Sequence, residues 1–429
     1  MLDVASLLAP SAGLITDIGV VPAQEDYPIW RIALGLACEH ADGPDAAAAA
    51  ADPDHLTVCS AGACSTTRTR AVVRAAGEAI ERIALHGAGS VVATTAELGD
   101  KALQYWASGT DLGAAPGDRS MSWYPATRLA DGSEWWVPAG LVLYPGTPQD
   151  RPGFDVGPSG AAAGQSYRSA LHAALLETVE RDAVIVSWAR QQHLLSVDTD
   201  AAPATAQLDP EWTELRRSLD VVRQAGLKPV FARIPLGTDR LVCVVGGVAG
   251  TGRHHRLLSL GAKVSTHPAA ALYGALHESF QLYPALQHFE TPDEYSAVVV
   301  TESDRIRFLA SASGIRALES WLCDPVVGPV VGDQLGTGPE LSTDDLVSML
   351  IADGLDPYVV DLTDHLPEVV RRQGWSVVKV VPAGYQPLRI DERTTFGWNR
   401  HRLGSVSART GVPARLPIDE LSRLPHPLP

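Results

Sequence analysis

Apolar and polar positions alternate near the start of the chain. The stretches GLITDIGVV and YPIWRIALGLA both carry the β-branched and aromatic alternation of strands, and together they predict a hairpin. DGPDAAAAAADPDHL follows, and its Asp, Gly and Pro flanks predict a surface loop or linker. From Thr67 to His86 the period becomes helical, with Thr66 or Thr67 as cap. WWVPAGLVLYP predicts a strand, GPSGAAAGQS a small-residue loop, and the stretch from Tyr167 to Gln192 a long helix. WTELRRSLDVVRQAG is amphipathic and closes on glycine. KPVFARIPL and the two halves of RLVCVVGGVAGTGRHHRLLSLGAKV predict strands, the latter around a Gly-rich turn. PAAALYGALHESFQLYPAL predicts another helix, and DLVSMLIADGLDPYVVDLT and EVVRRQGWSVVKVVPAG predict helix–strand units. Helices and strands interleave throughout, which predicts an α+β fold with mixed sheets covered by helices. Residues 1–54 are expected to form a hairpin segment and Ala-rich loop, and residues 55–429 one large unit.

Three of the helical stretches share a polar signature. AAGEAIER, AALLETVER and ALHESFQ align as Ala-x-x-Glu-x-(aliphatic or aromatic)-Glu/Gln. The sets are Ala75, Glu78, Ile80, Glu81; Ala174, Glu177, Val179, Glu180; and Ala275, Glu278, Phe280, Gln281. Arg82 and Arg181 follow directly in the first two. Residues three apart share a helix face, so each helix presents two oxygen-bearing groups side by side. Nearly everything else on these helices is small or apolar, which predicts partly buried glutamates. Buried carboxylates are costly unless paired or bound to metal. Two arginines cannot neutralise five glutamates, so Mg²⁺ is the natural remaining counterion. A single E-x-x-E-R has a bland reading, a solvated helix with an i,i+4 pair such as Glu78–Arg82 worth about 0.2–0.5 kcal/mol. Three matching copies on apolar helices favour a site.

The bulk numbers narrow the class. The chain has 429 residues, 45% hydrophobic and 20% charged, with a net charge of −16. No Lys/Arg cluster outweighs that acidity, which argues against nucleic acid as a partner. The N-terminal stretch has no basic start and no cleavage site after a long apolar core, so no signal peptide is expected. No apolar run is long enough to span a bilayer. The cysteines, Cys38, Cys59, Cys64, Cys243 and Cys323, form no C-x-x-C pair, which fits a reducing compartment and a cytoplasmic protein. Neither a Walker A loop nor a strand–G-x-G-x-x-G–helix unit is present. GPSGAAAGQS is the best candidate for a phosphate or nucleoside loop, because its glycines let backbone N–H groups approach a ligand ahead of a helix N-terminus. The adjacent histidines of GTGRHHR are expected in a solvated turn, and at least one of Trp135 and Trp136 in the core.

The sequence closes on Pro425-His426-Pro427-Leu428-Pro429. Proline fixes φ, so this is a stiff, extended rod. On its own it fits a solvated tail, a ligand for a proline-recognising partner, or a rod threaded into the protein's own site.

Together, the three E-x-x-[E/Q] helices, the SGAAAG loop, VERDA…W from Val179 to Trp188 and the proline-rich end resemble the YcaO family over most of the chain. The resemblance implies a YcaO-like fold with the ATP site between the three glutamate-bearing helices, and ATP and Mg²⁺ as cofactors. In the azoline-forming branch, a Cys, Ser or Thr side chain of a ribosomally made precursor peptide attacks the preceding amide carbonyl. ATP phosphorylates the resulting oxygen, and phosphate leaves to give a thiazoline or oxazoline. By this resemblance Glu78, Glu81, Glu177, Glu180 and Glu278 are metal positions. Ser159, Gly160, Gly164, Arg82, Arg181 and Gln281 are nucleotide positions. Pro425, Pro427 and Pro429 form a catalytic tail that carries the Pro429 carboxylate to the reacting amide. The chain departs from the family where many members read Gly-Lys-Gly ahead of the first helix and this one reads GACST, with Cys64 at that place. It also reads Pro158-Ser159-Gly160 for the usual Ser-Asn/Thr-Gly. Implied partners are the precursor peptide, an E1/ThiF-like leader-binding protein, a flavin dehydrogenase of the same pathway, and a second copy in a homodimer. Thioamide or amidine formation, and a non-catalytic ATP-binding scaffold, are the rival readings.

Overall fold

The computed structural model describes residues 4–25, 27–37, 58–87, 89–146, 149–150, 152–199, 209–251, 256–288, 295, 297–322 and 341–428. The Ala-rich stretch, His254, His255 and Pro429 lie outside these residues.

The alternating N-terminal segments form a hairpin of β1 (Ile15–Val21) and β2 (Trp30–Leu36), extended by β3 (Ser60–Ser65) into a three-stranded sheet. A second sheet is built on β4 (Val91–Ala93), β5 (Met121–Arg128), β6 (Glu134–Pro138) and β7 (Ala161–Gly164). A third holds β8 (Leu195–Ser196), β9 (Lys228–Ile234), β10 (Val242–Thr251) and β11 (Arg256–Ser265), ordered β11-β10-β9-β8. The late strands β12 (Asp356–Asp361) and β13 (Ser376–Ala383) return to the second sheet, which runs β4-β5-β12-β13-β7 with β6 beside β5. All strand ladders among the described residues are antiparallel.

Helices cover the sheet faces, as the interleaved pattern predicts. Helix α1 (Arg68–Ala84) starts at the Thr67 cap and packs on β2, β3 and β7. Helix α2 (Tyr167–Ala189) is capped by Ser166 and Ser169, each side chain bonded to the other's backbone N–H. It is buried nearly all round and touches β7, β13 and β11. Helix α3 (Pro210–Gln224) is the amphipathic one and begins at the Asp209 cap. Helix α4 (Pro268–His288) lies on β10, β11 and β3. Its close approach depends on Gly261, where a Cβ would sit 2.6 Å from the Ala275 carbonyl oxygen and 2.8 Å from Cβ of Glu278. Each of the three glutamate-bearing helices thus touches strands of two different sheets. Two large apolar clusters form the core, one around α2, α4 and β9–β11, the other around α1, β5 and β12.

Some boundaries differ from the sequence reading. The strand in WWVPAGLVLYP ends at Pro138, which has no N–H for the ladder, and a 3-10 turn over Ala139–Leu141 follows. Trp135 and Trp136 are both half-buried against the second core, and neither is fully inside it. The long helix stops at Ala189, short of Gln192. The small-residue loop is only half a loop, because Ala161–Gly164 pairs with β13 as a strand. Gly164 therefore lies in a strand and not in a loop. It is the strand end opposite Ser376, against the start of α2.

The rotation of α2 is fixed by one buried ion pair. Asp182 is 3% exposed and Arg402 4% exposed. The guanidinium donates to both Asp182 carboxylate oxygens, the closest pair at 2.8 Å, and also to Asp353 at 2.6 Å. The Gln386 N–H donates to Asp182, and Arg402 stacks over the Tyr385 ring 3.8 Å from its centroid. Removing one partner strands the other's charge in the interior. Asp182→Ala is expected to cost about 3 kcal/mol in chemical denaturation. Glu368→Ala, in the exposed pair with Arg372, should cost at most about 0.5 kcal/mol. Equal losses would contradict this assignment.

Candidate active site

Helical spacing turns the E-x-x-E signatures inward, and the fold brings them together. Glu180 is buried, while Glu78, Glu81, Glu177 and Glu278 are partly buried. Arg181 is the hub. Its guanidinium lies 3.4 Å from Glu177, 3.6 Å from Glu180 and 3.9 Å from Glu278, so it spans α2 and α4. Glu180 also meets Lys263 of β11 at 3.6 Å and accepts the Val264 N–H at 3.2 Å. On α1, Arg82 lies 3.8 Å from Glu78 and 5.4 Å from the centroid of the Tyr144 ring, and its Nε and Nη1 have no hydrogen-bond partner among the described residues. Gln281 donates to the Gly62 carbonyl at 3.3 Å and so ties α4 to β3.

The carboxyls remain short of positive charge. Burial, then Glu180, pushes Glu278 up to about 7 despite Arg181 and Lys263. Burial, then Glu177, raises Glu81 well above the usual carboxylate range. Burial also raises Glu78, against the pull of Arg82. Arg181 goes the other way. Burial alone would lower it, but Glu180, Glu177 and Glu278 outweigh that and hold the guanidinium charged.

A cleft of about 740 Å³, open solvent included, adjoins this cluster at Arg181. Ser159 and Gly160 line it with Thr178 and Lys379, while Gly164 does not. Gly160 has φ +85°, and a Cβ there would meet the Val380 carbonyl oxygen at 2.6 Å, so the turn under the cleft requires glycine. The sequence reading missed Lys379 and Lys263. Lys379 donates to the carbonyls of Gly157 at 2.9 Å and Ser159 at 2.6 Å. Burial lowers it to about 8, although Glu177 and Glu81 pull upward. Its signal was one charge inside SVVKVVP, an otherwise apolar strand. Arg74 also draws on Glu78 and Glu278, so with these lysines the charge deficit is smaller than two arginines suggested. Cys64 is buried against the Tyr27 hydroxyl at 3.3 Å, and burial raises its thiol. It is a packed side chain and supplies no cation where the resemblance led one to look for lysine.

The proline-rich end is threaded into the protein. Leu428 is fully buried in the main core and His426 is 3% exposed. Trp188 Nε1 donates to the Leu424 carbonyl at 3.0 Å, and Arg305 Nη1 to the His426 carbonyl at 3.4 Å. His426 Nε2 donates to the Arg389 carbonyl, and Nδ1 has no partner among the described residues. Arg305 is itself buried, with Nη2 on the carbonyls of Arg389 and Ile390, both at 2.9 Å. Burial holds the His426 imidazole neutral, and the charges of Arg305 and Arg181 reinforce this, so the tail runs within electrostatic reach of the hub. Pro425 is half-buried and Pro427 buried, and the residue after Leu428 lies outside the described part.

Among the described residues, no three Asp, Glu, His or Cys side chains converge closely enough to cage a metal alone. Mg²⁺ rarely needs such a cage. It usually takes one or two carboxylates and fills its shell with water and substrate phosphate. Hard oxygen donors with raised pKa, beside unpartnered guanidinium nitrogens, fit a divalent cation and a phosphate anion together. Among the described residues, no helix is long and apolar enough to cross a membrane.

Comparison with known proteins agrees with this chemistry. The chain is similar in structure to a heterocyclase in complex with substrate and cofactor, with TM-score 0.69 and 20% identity, covering 97% of this chain and 55% of that one. This chain thus spans about half the length of that heterocyclase. It is similar to YcaO from Methanopyrus kandleri bound with AMPPCP and Mg²⁺, with TM-score 0.63 and 21% identity over 90% of both chains. It is also similar to a chain of the E. coli microcin synthetase McbBCD complex, with TM-score 0.58 and 14% identity over 93% of this chain and 96% of that one. At such identities these likenesses establish the fold. No curated protein sequence matches. The family described as YcaO cyclodehydratase, ATP- and Mg²⁺-binding, matches residues 62–386. With most of its length in that match and the fold to go with it, the chain belongs to the YcaO family.

Proposed function

We propose that this protein is an ATP- and Mg²⁺-dependent cyclodehydratase that converts Cys, Ser or Thr residues of a ribosomally made precursor peptide to thiazoline or oxazoline. One observation carries the reading: Glu177, Glu180 and Glu278 converge on Arg181, Glu78 and Glu81 of α1 lie within electrostatic reach of Glu177, and a buried proline-rich tail runs toward the same place. When bound, Mg²⁺ and ATP supply the neutralising charge and the phosphoryl group that makes an amide oxygen a leaving group. Glu78, Glu81, Glu177, Glu180 and Glu278 would hold the metal. Arg181 and Arg82 orient those carboxylates and offer donors to phosphate. Ser159 and Gly160 shape the cleft floor. Trp188 and Arg305 hold the tail, so that the carboxylate of Pro429 would reach the reacting amide as a proton acceptor or positioning group. A stiff tail loses little entropy on being fixed there. The heterocyclase neighbour is seen with a substrate and the microcin synthetase as a complex, which supports a substrate and a partner protein for this chain; on our reading these are a precursor peptide and an E1/ThiF-like protein.

The direct assay combines the protein with ATP, Mg²⁺, a precursor peptide and its E1-like partner. The peptide should lose one water per ring, with matching phosphate release. Glu177→Gln should lower both by about a hundredfold. Phosphate release with sulfur-for-oxygen exchange would instead support thioamide formation, and no ATP use would support the scaffold reading.

The tail separates binding from chemistry. Removing residue 429 alone should leave Mg²⁺–nucleotide affinity within about threefold while turnover falls about a hundredfold, the scale of a misplaced catalytic group. Unchanged turnover would remove the tail from the mechanism.

The raised carboxyls predict a pH effect. Folding favours the neutral form of Glu278, so its contribution is full below its unfolded pKa and is lost as pH rises through about 7. In EDTA, stability should therefore fall between pH 5 and 8, by up to about 3 kcal/mol from this group. Mg²⁺ with nucleotide should restore it above pH 7, because the metal competes with the proton. A melting temperature indifferent to Mg²⁺–nucleotide across that range would contradict the metal assignment.

A further inference from the structure

The chain has four lysines, Lys101, Lys228, Lys263 and Lys379. Lys379 lies mid-strand in β13, between β12 and β7, and is 3% exposed. Burying an ammonium is costly unless its donors are used, and it has three. Two go to the carbonyls of Gly157 and Ser159, which ties the loop under the cleft to the sheet. No described residue accepts the third. Among the described residues, Lys379 and Arg181 are the two cations lining the cleft, with one carboxylate, Asp155. That carboxylate is already engaged by the N–H groups of Ile390 and Asp391. Glu177 and Glu81 draw on the charge of Lys379, yet neither accepts a hydrogen bond from it, so one of its donors is uncommitted. A lysine that served only to tie down a loop would not need to face the cleft.

We propose that Lys379 is a positioning cation of the active site: it fixes the 157–160 loop with two N–H groups and turns the third to a phosphoryl oxygen of the bound nucleotide. This rests on the nucleotide reading of the cleft. It also gives the phosphate end of the site a lysine from the last strand of the sheet, where Cys64 supplies none.

With four lysines, the side-chain NH₃⁺ signals of ¹⁵N-labelled protein can be assigned by single Lys→Arg variants. Mg²⁺–AMPPCP should move the Lys379 signal, while adenosine, which lacks phosphate, should leave it in place. Lys379→Met should weaken Mg²⁺–AMPPCP at least about tenfold, with part of the loss recovered in Lys379→Arg. A Lys379 signal that ignores AMPPCP in the wild-type protein would overturn the proposal even if the Met variant failed to fold. Wild-type protein that binds no AMPPCP at all would overturn the nucleotide reading, and this proposal with it.

Discussion

Five carboxylates in a largely apolar interior are the constraint around which this protein is arranged. Each would be expensive alone. The fold gathers them on three helices so that one guanidinium, Arg181, touches three of them, while Lys263 meets the most buried one. The compensation is incomplete, as the upward shifts of Glu78, Glu81 and Glu278 show. A site left short of positive charge in this way is ready for a cation, and a divalent cation brings phosphate with it.

Holding that arrangement takes the whole chain. The Asp182–Arg402 pair sits one residue along α2 from the hub and locks the helix against the C-terminal region. Gly261 lets α4 approach β11 closely enough to deliver Glu278. Trp188, further along α2, holds the backbone of the tail. One helix therefore carries the hub, its lock and the anchor of the proline-rich end, which makes VERDA…W a structural unit as well as a chemical one.

Much of this was legible because helices write their faces into local spacing. The i, i+3 glutamates and the apolar residues around them told which side chains converge and that they are partly buried. The hairpin and the helix–strand units were legible for the same reason. What sequence reading missed depends on distant partners. Ala161–Gly164 looked like loop because its residues are small, yet its strand partner β13 lies over two hundred residues away. Lys379 passed as one polar residue in a strand, because nothing local reveals the two carbonyls that hold it. The tail's fate was open for a similar reason, since Arg305 and Trp188 are remote from it in sequence. The charge count from two arginines was too low because two lysines enter from strands.

The most direct measurement is crystallography with Mn²⁺ and AMPPCP, reading the metal from its anomalous scattering. Metal density is expected among the carboxylates of α1, α2 and α4, with the phosphates reaching toward Arg181. Nucleotide bound with its metal away from all three helices, or no metal within reach of those glutamates, would contradict it.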